Sequence, residues 1–430
     1  MVTINNICID GYKNIHELNV NLSKRNVFLS ANNYGKSNVL SAIIFGFDFI
    51  TKPSKVKSNM MKWKPGFPFN TVDFGKNFKF DIEFEFGSDE IKYVKYGFEF
   101  AWQKSSKELG KVVSECLKIK QPDSQKYSTY IERCEEYSRY KTASTGRCDK
   151  DVIIKDNELI VNKISNFDDL FYLDVIEAIN NLTIFVDRHF DANELFNEIP
   201  VIQKQADITS PYNDESIART LYYLKKEHKN RYQLIINTLI DFFPYITEVI
   251  IREINLSEKK IKVEIDENAP FEVADYVYIL YVKNKYMSNI VPFDVMSDGV
   301  KRLLSLLTYM TLADIKGIPI IGIEEPENSI HPGLLRKYLD VIDGFIDSSR
   351  IIITSHSPYL INYMNLSELH IGELRDDGRA VFKTISKNGI TRINNYAEEM
   401  GVQTGEYLFS VVSGVDEFDA ELLKKCLENE

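Results

Sequence analysis

The chain has 430 residues, of which 44% are hydrophobic and 12% aromatic, which excludes a disordered chain and supplies a large core, as one big domain with an insertion or as two modest domains. A formal charge of −11 excludes a global basic field as the driver of nucleic-acid binding, although it leaves local contacts open. No stretch approaches the roughly 18 apolar residues of a membrane span, and MVTINNICIDGYKN lacks the basic segment and apolar run of a secretory leader, so neither is expected.

Residues 2–29 alternate and then run apolar, which predicts three short strands, the last ending at Ser30. A helix is predicted from about Lys36 to Phe49, striped by Val39, Leu40, Ile43, Ile44 and Phe47. Residues 52–66, with Pro53, Pro65 and Gly66, read as a loop. KNFKFDIEFEF at 76–86 alternates as a half-exposed strand, and VKYGFEFAW at 94–102 reads as its partner. From Gln103 to Asp169 the composition turns to Lys, Ser, Glu, Asp and Tyr with weak periodicity, so 103–180 is expected to be an inserted module or lid, α/β or helical. LTIFVDR at 182–188 resumes a buried strand, 216–243 read as an amphipathic helix pair, and strands are expected at ITEVIIREI, KKIKVEI and YVYILYV within 246–290. A helix should run from Gly299 to about Asp314, and 381–430 should form a mostly helical tail. Cys8, Cys116, Cys134, Cys148 and Cys426 are odd in number with no C-x-x-C pair, as expected of free thiols in a reducing cytoplasm.

Four segments carry chemistry. SANNYGKS at 30–37, between an apolar strand and an amphipathic helix, fits a phosphate-binding loop with Ser30 at the position of the usual first glycine. In such a loop, backbone N–H groups of Ser30, Ala31, Asn32, Asn33, Tyr34 and Gly35, with Asn38 in the first helical turn, surround the phosphates of ATP. Lys36 would contact the β- and γ-phosphates and Ser37 would coordinate Mg²⁺. The apolar strand IPIIGI ends in Glu324 and Glu325. The first suits Mg²⁺ and its water; the second suits a general base on the attacking water. A second apolar strand, Ile351–Ile353, leads to Thr354-Ser355-His356, where His356 can sense the γ-phosphate. Met296-Ser297-Asp298-Gly299 resembles an L-S-G-G signature, with Ser297, Asp298 and Gly299 opening a helix towards a γ-phosphate. Each segment alone also fits a plainer reading, namely a strand–turn–helix, a solvated acidic turn, a surface histidine and a serine N-cap.

In this order the segments resemble the SMC/RecF-like branch of cassette ATPases, the OLD-type "AAA family ATPases". The resemblance is carried by Gly11–Ile15 (GYKNI), NNYGKSN, SDGVKRLL, EEPENSIHP and TSHSP, over about 1–100 and 180–380. It implies an α/β fold, an ABC-type P-loop NTPase with a mixed β-sheet core and an antiparallel β subdomain. The ATPase would be split into 1–102 and 181–380. It further implies ATP and Mg²⁺ as cofactors and composite sites shared by the subunits of a homo-oligomer, a dimer or a multiple of dimers. Lys13 falls where it could approach the nucleotide, or where a surface turn would lie. His331, in the segment that would cross between subunits, is expected to contact protein. No heptads suggest a long coiled-coil arm, and too few residues follow His356 for the Toprim nuclease of OLD proteins. The chain therefore looks similar to ATPase subunits of anti-phage systems of the PARIS and Septu type, which implies a cytoplasmic regulator of a separate effector such as a nuclease. Two other readings stay open. One is a RecF-like DNA-binding ATPase of repair, with Lys52, Lys55, Lys57, Lys62 and Lys64 around Trp63 on phosphates. The other is a nucleotide-binding interaction protein with weak or no turnover, because of Ser30 and Asp298.

Overall fold

Strands and helices follow the hydrophobic periods closely, and the computed structural model describes them for residues 2–31, 34–62, 70, 72–73, 75–104, 109–187, 196, 201–203, 216–256, 271–328, 330–346, 348–412 and 423–427. The first elements are β1 (Val2–Asp10), β2 (Leu18–Asn21), β3 (Arg25–Leu29), α1 (Lys36–Thr51) and α2 (Ser54–Met60). A run of strands follows: β4 (Phe78–Phe86), β5 (Tyr93–Ala101), β6 (Lys111–Lys120), β7 (Ser128–Arg133), β8 (Ser138–Tyr140) and β9 (Lys150–Asp151). Next come α3 (Ile160–Lys163), α4 (Leu173–Asn180), β10 (Ile184–Asp187), β11 (Val201–Gln203), α5 (Ile217–Glu227) and α6 (Lys229–Phe242). The chain continues through β12 (Ile246–Asn255), β13 (Phe271–Val273), β14 (Tyr276–Asn284), β15 (Val291–Pro292) and α7 (Asp298–Lys316). The last elements are β16 (Ile320–Glu324), α8 (Pro332–Phe345), β17 (Arg350–Ser355), α9 (Pro358–Ile361), β18 (Leu369–Leu374), β19 (Ala380–Thr384), α10 (Lys387–Met400) and α11 (Thr404–Val412).

These elements form two compact units, Met1–Asp187 with Gly317–Glu325 and Ser348–Glu430 in one, and Arg188–Lys316 with Pro326–Asp347 in the other. The first unit holds two sheets. An antiparallel sheet runs β2-β1-β4-β5-β6-β7-β8-β9. Alternation puts Phe78, Phe80, Ile82 and Phe84 of β4 inside, while Lys79 on the other face is exposed. Phe49 of α1 stacks on Phe98 and Phe100 of β5, with ring centroids 4.9 and 4.6 Å apart. Each such buried ring contributes about 1.5–3 kcal/mol relative to exposure. The second sheet runs β10-β16-β17-β3-β18-β19, parallel except for β19. Its strands are buried on both faces, so they read as the continuous apolar runs IIGIE and RIIITS rather than as alternation.

Two expectations differ from this arrangement. Residues 103–180 do not form a separate module: β6 pairs with β5, β7 with β6, and the sheet simply continues. The segment 52–66 is not wholly loop, because Pro53 (φ −61°) opens α2 with its ring already in helical φ. On α2, Lys57 is 1% exposed, donates to the Ile50 carbonyl at 3.1 Å and to the Asn162 side chain, and burial lowers its pKa to about 8. It is spent inside the fold and does not face a nucleic acid, while Trp63 and Lys64 lie outside the described residues.

In the second unit α5 and α6 pack on the antiparallel sheet β12-β14-β15, α7 packs on α5, α6 and α8, and β11 pairs with β13. Helix α7 is buried from Val300 to Ala313, which explains why it is apolar around most of its circumference. Tyr222 and Tyr278 both donate to Glu253, at 2.7 and 3.1 Å. The strand expected at KKIKVEI (259–265) lies outside the described residues. Among the described residues no helix is long and apolar enough to cross a membrane, and all five cysteines are free thiols.

One buried base gives the first unit an acid sensitivity. His370 on β18 is 3% exposed and stacks on Phe28, centroids 4.7 Å apart, and burial lowers its pKa from 6.5 to about 4. The unfolded chain takes up this proton below pH 6.5 and the folded chain does not, so stability is lost as pH falls from 6.5 towards 4. Denaturant unfolding at pH 7 and pH 4.5 should show a loss of about 2 kcal/mol from this group, absent in His370→Phe. An equal loss in His370→Phe would place the sensitivity elsewhere.

Candidate functional site

Parallel pairing sets the site. Leu29 of β3 lies opposite Ser355 of β17, and Thr354 lies opposite both Phe28 and Glu324 of β16. The phosphate loop, the His356 segment and the two carboxylates therefore leave the sheet along one edge, the carboxyl end of its parallel strands, where open α/β sheets bind ligands. Alternation along β16 puts Glu324 on the same face as Gly322, and Gly322 lies under α1: a Cβ there would come within 2.9 Å of Leu40 Cδ2. Glu324 thus faces the helix that opens with Lys36 and Ser37. Thr354, its neighbour on that face, is 1% exposed with no hydrogen-bond partner for its hydroxyl among the described residues. A hydrated Mg²⁺ at Glu324 and Ser37 would suit this donor set, with hard oxygen ligands and a spare buried hydroxyl beside them.

At the loop itself, Gly35 is left-handed (φ +96°), and a Cβ there would sit 3.0 Å from Asn14 Oδ1 and 3.1 Å from Ala380 Cβ. Among the described residues no side chain caps α1. Lys36 is 7% exposed and its ammonium donates to the carbonyls of Ser30 and, at 3.4 Å, Ala31. Such a buried cation held over loop carbonyls is placed to meet an anion. Ser30 needs no positive φ, so a side chain is tolerated where glycine is usual, and Gly372 of β18 makes the room: a Cβ on Gly372 would lie 2.8 Å from Ser30 Cβ. Asn38 donates to Asn14 at 2.7 Å and accepts from Lys13 at 3.1 Å, which ties the GYKNI turn to the first turn of α1. Tyr34 is half-buried, and Asn32 and Asn33 lie outside the described residues.

Glu325 is one of three non-glycine residues with positive φ among the described residues (+45°), its N–H donating to the Thr354 carbonyl at 2.8 Å. Its Oε1 lies 3.3 Å from Nδ1 of His356, and both side chains are more than one-third exposed. The carboxylate that sequence reading assigns to the base thus touches the histidine assigned to the γ-phosphate.

Ser297, Asp298 and Gly299 belong to the second unit, where the Ser297 carbonyl accepts the first-turn N–H groups of Val300 and Lys301 at 3.0 and 3.1 Å. Asp298 lies 3.8 Å from Lys301 Nζ, so its charge is partly balanced within its own helix. His331 caps α8, accepting from the Gly333 N–H at 3.1 Å. Gln103 pairs its backbone with Met61, at the edge of α2. Elsewhere, Asp10, His16 and Glu17 come together as metal ligands would, but Lys76 occupies the cation position, 2.7 Å from Asp10 and 3.1 Å from His16. Sequence reasoning gave no role to Asn14 or Thr354, although GYKNI and TSHSP contain them, and did not single out Gly372, which stands in no motif. It could not have paired Gly372 with Ser30 from spacing alone.

A family model described as "AAA domain, putative AbiEii toxin, Type IV TA system" matches residues 31–362. No curated protein matches the chain. Among solved structures, the chain is similar to an Smc head bound to the C-terminal winged-helix domain of ScpA (14% identity, 90% of this chain and 99% of that one, TM-score 0.50). It is also similar to an Smc head with an extended coiled coil bound to the C-terminal domain of ScpA, from Pyrococcus furiosus (14% identity, 93% and 100%, TM-score 0.45). The fold is the mixed α/β fold of an ABC-type P-loop ATPase head, and the match over most of its length shows that the chain belongs to this AAA-domain ATPase family.

Proposed function

We propose that the chain hydrolyses ATP with Mg²⁺ and that it does so as a homo-oligomer, a dimer or a multiple of dimers, with each nucleotide held between two copies. The observation that carries this reading is the Glu325–His356 contact at 3.3 Å, at the same sheet edge as Lys36. In this reading Lys36 neutralises the β- and γ-phosphates, and Ser37 and Glu324 hold Mg²⁺. Glu325 takes the proton of the attacking water, and His356 contacts the γ-phosphate. Mg²⁺, when bound, would supply neutralisation of the charge on the transferring phosphoryl group. Ser297, Asp298 and Gly299 of a second copy close the site, with the α7 amino terminus towards the γ-phosphate.

We propose further that the ATPase is cytoplasmic and that ATP-driven association regulates a separate effector, a nuclease in the antiviral systems that the motif order resembles. The Smc head of similar fold, crystallised with a domain of ScpA, supports heads of this architecture working with a separate partner chain. The test is the solution mass of Glu325→Gln with and without Mg·ATP, with Lys36→Ala as control. An ATP-dependent increase that the control lacks is expected. A monomer mass that stays unchanged with ATP bound would refute the shared site, whereas an oligomer mass unchanged by ATP would mean a constitutive assembly in which ATP acts on partner release.

A further inference from the structure

Helix α11 falls beyond both the family match and the motif segments, yet it contributes to the nucleotide site. A cavity of about 260 Å³ opens between Ser30 and Ala31 of the phosphate loop, Ser355 and His356 at the end of β17, and Phe409 and Val412 of α11. Its polar side chains are Ser30, Ser355 and His356, and the rest of its lining, Phe409 and Val412 included, is hydrocarbon. Phe409 lines this cavity and is 39% exposed, so its ring forms part of the wall beside Ser30 and His356 where solvent can reach.

The position of α11 is fixed against the His356 segment. Helix α9 begins two residues after His356, and α11 packs on it at Gly405. A Cβ on Gly405 would lie 2.4 Å from the Pro358 carbonyl oxygen, and the Gly405 N–H donates to Asn362 Oδ1 at 2.7 Å. Any side chain at 405 must lift α11 from α9.

We propose that Phe409 is a positioning residue for hydrolysis: its ring keeps bulk water out of the space beside His356 and the phosphate loop, so that only the water addressed by Glu325 reaches the γ-phosphate. This rests on the ATPase reading above. Exclusion of water strengthens the charge interactions that stabilise a transferring phosphoryl group, whereas ground-state binding is carried by Lys36 and the loop backbone. Loss of the ring should therefore fall on turnover and spare binding.

The experiment measures single-turnover ATP hydrolysis and ATP binding in the full chain for the parent, Phe409→Ala, Phe409→Leu and Gly405→Val, with Glu325→Gln alongside. Phe409→Ala is expected to slow hydrolysis by about tenfold with ATP affinity within about twofold of the parent, and Phe409→Leu to recover most of the rate. Gly405→Val should reproduce the Phe409→Ala phenotype with Phe409 intact. Parent-rate hydrolysis by Phe409→Ala while Glu325→Gln is inactive would overturn the role of Phe409 and leave the ATPase reading standing. Equal loss of binding and rate, with no recovery by leucine, would make the ring a structural element only. Hydrolysis by Glu325→Gln at the parent rate would overturn the ATPase reading itself.

Discussion

Glu325→Gln should bind Mg·ATP as the parent does and hydrolyse it at least about 10²-fold more slowly. The amide keeps the size of the carboxylate and can still hydrogen-bond, but it cannot accept the proton of the attacking water. Its neighbours are unchanged: the backbone N–H still donates to the Thr354 carbonyl at 2.8 Å, and His356 still lies within reach. The phosphate cradle is built by Lys36, Ser37 and the loop, so affinity is not expected to follow the rate. Glu325 also holds a left-handed φ of +45°, which a residue with a Cβ adopts at a cost of about 1 kcal/mol or more. Two further variants separate that strain from the chemistry. Glu325→Ala and Glu325→Gly should both be inactive, but the glycine variant should be more stable than the alanine variant by about 1 kcal/mol, because only glycine is unstrained at this φ. Parent turnover in Glu325→Gln would remove the residue from the role of base. Equal stability of the alanine and glycine variants would show that the strain is relieved in solution.

Where strands end in charged residues, the sequence was legible. β16 and β17 are apolar runs that stop at Glu324 and Ser355, and the next residues, Glu325 and His356, meet at 3.3 Å. The α1 stripe and the alternation of β4 were equally plain, since each buries one face. The stretch 103–180 was not legible, for two physical reasons. Bulges between Glu99 and Phe100 and between Leu117 and Lys118 shift the register, so the period of two breaks within the meander. Glu115, polar in sequence, is 1% exposed and accepts from Tyr96, Ile160 and Val161, so an inward position reads as an outward one. The supporting residues of the site stayed hidden for another reason. Gly372 comes to the loop because β18 pairs in parallel with β3, and Phe409 and Val412 because α11 packs on α9, contacts between distant parts of the chain that no local pattern encodes.

That pairing carries the second large prediction. Gly372→Val should weaken ATP binding by about 10²-fold without removing any residue expected to touch nucleotide. A Cβ at 372 would lie 2.8 Å from Ser30 Cβ and 2.7 Å from Phe382 Cε1, both closer than carbon atoms approach. Phe382 is buried and stacked edge-on against Phe28, so the β19 side has little room to yield. The loop is the softer neighbour, and displacement of Ser30 carries with it the carbonyl to which Lys36 donates. Ser30→Gly deletes the atom that collides and restores glycine to the usual first position of the loop. Alone it should leave binding close to the parent value. Combined with Gly372→Val it should recover part of the lost affinity, and the Phe382 contact should keep the recovery incomplete. Non-additivity of this sign would show that β18 shapes the loop through the Ser30–Gly372 contact, and that Ser30 is a packed substitute for glycine rather than a lesion. Strict additivity of the two substitutions would mean that the loop holds its form independently of β18, and that the serine must then be accommodated by the backbone of the loop alone.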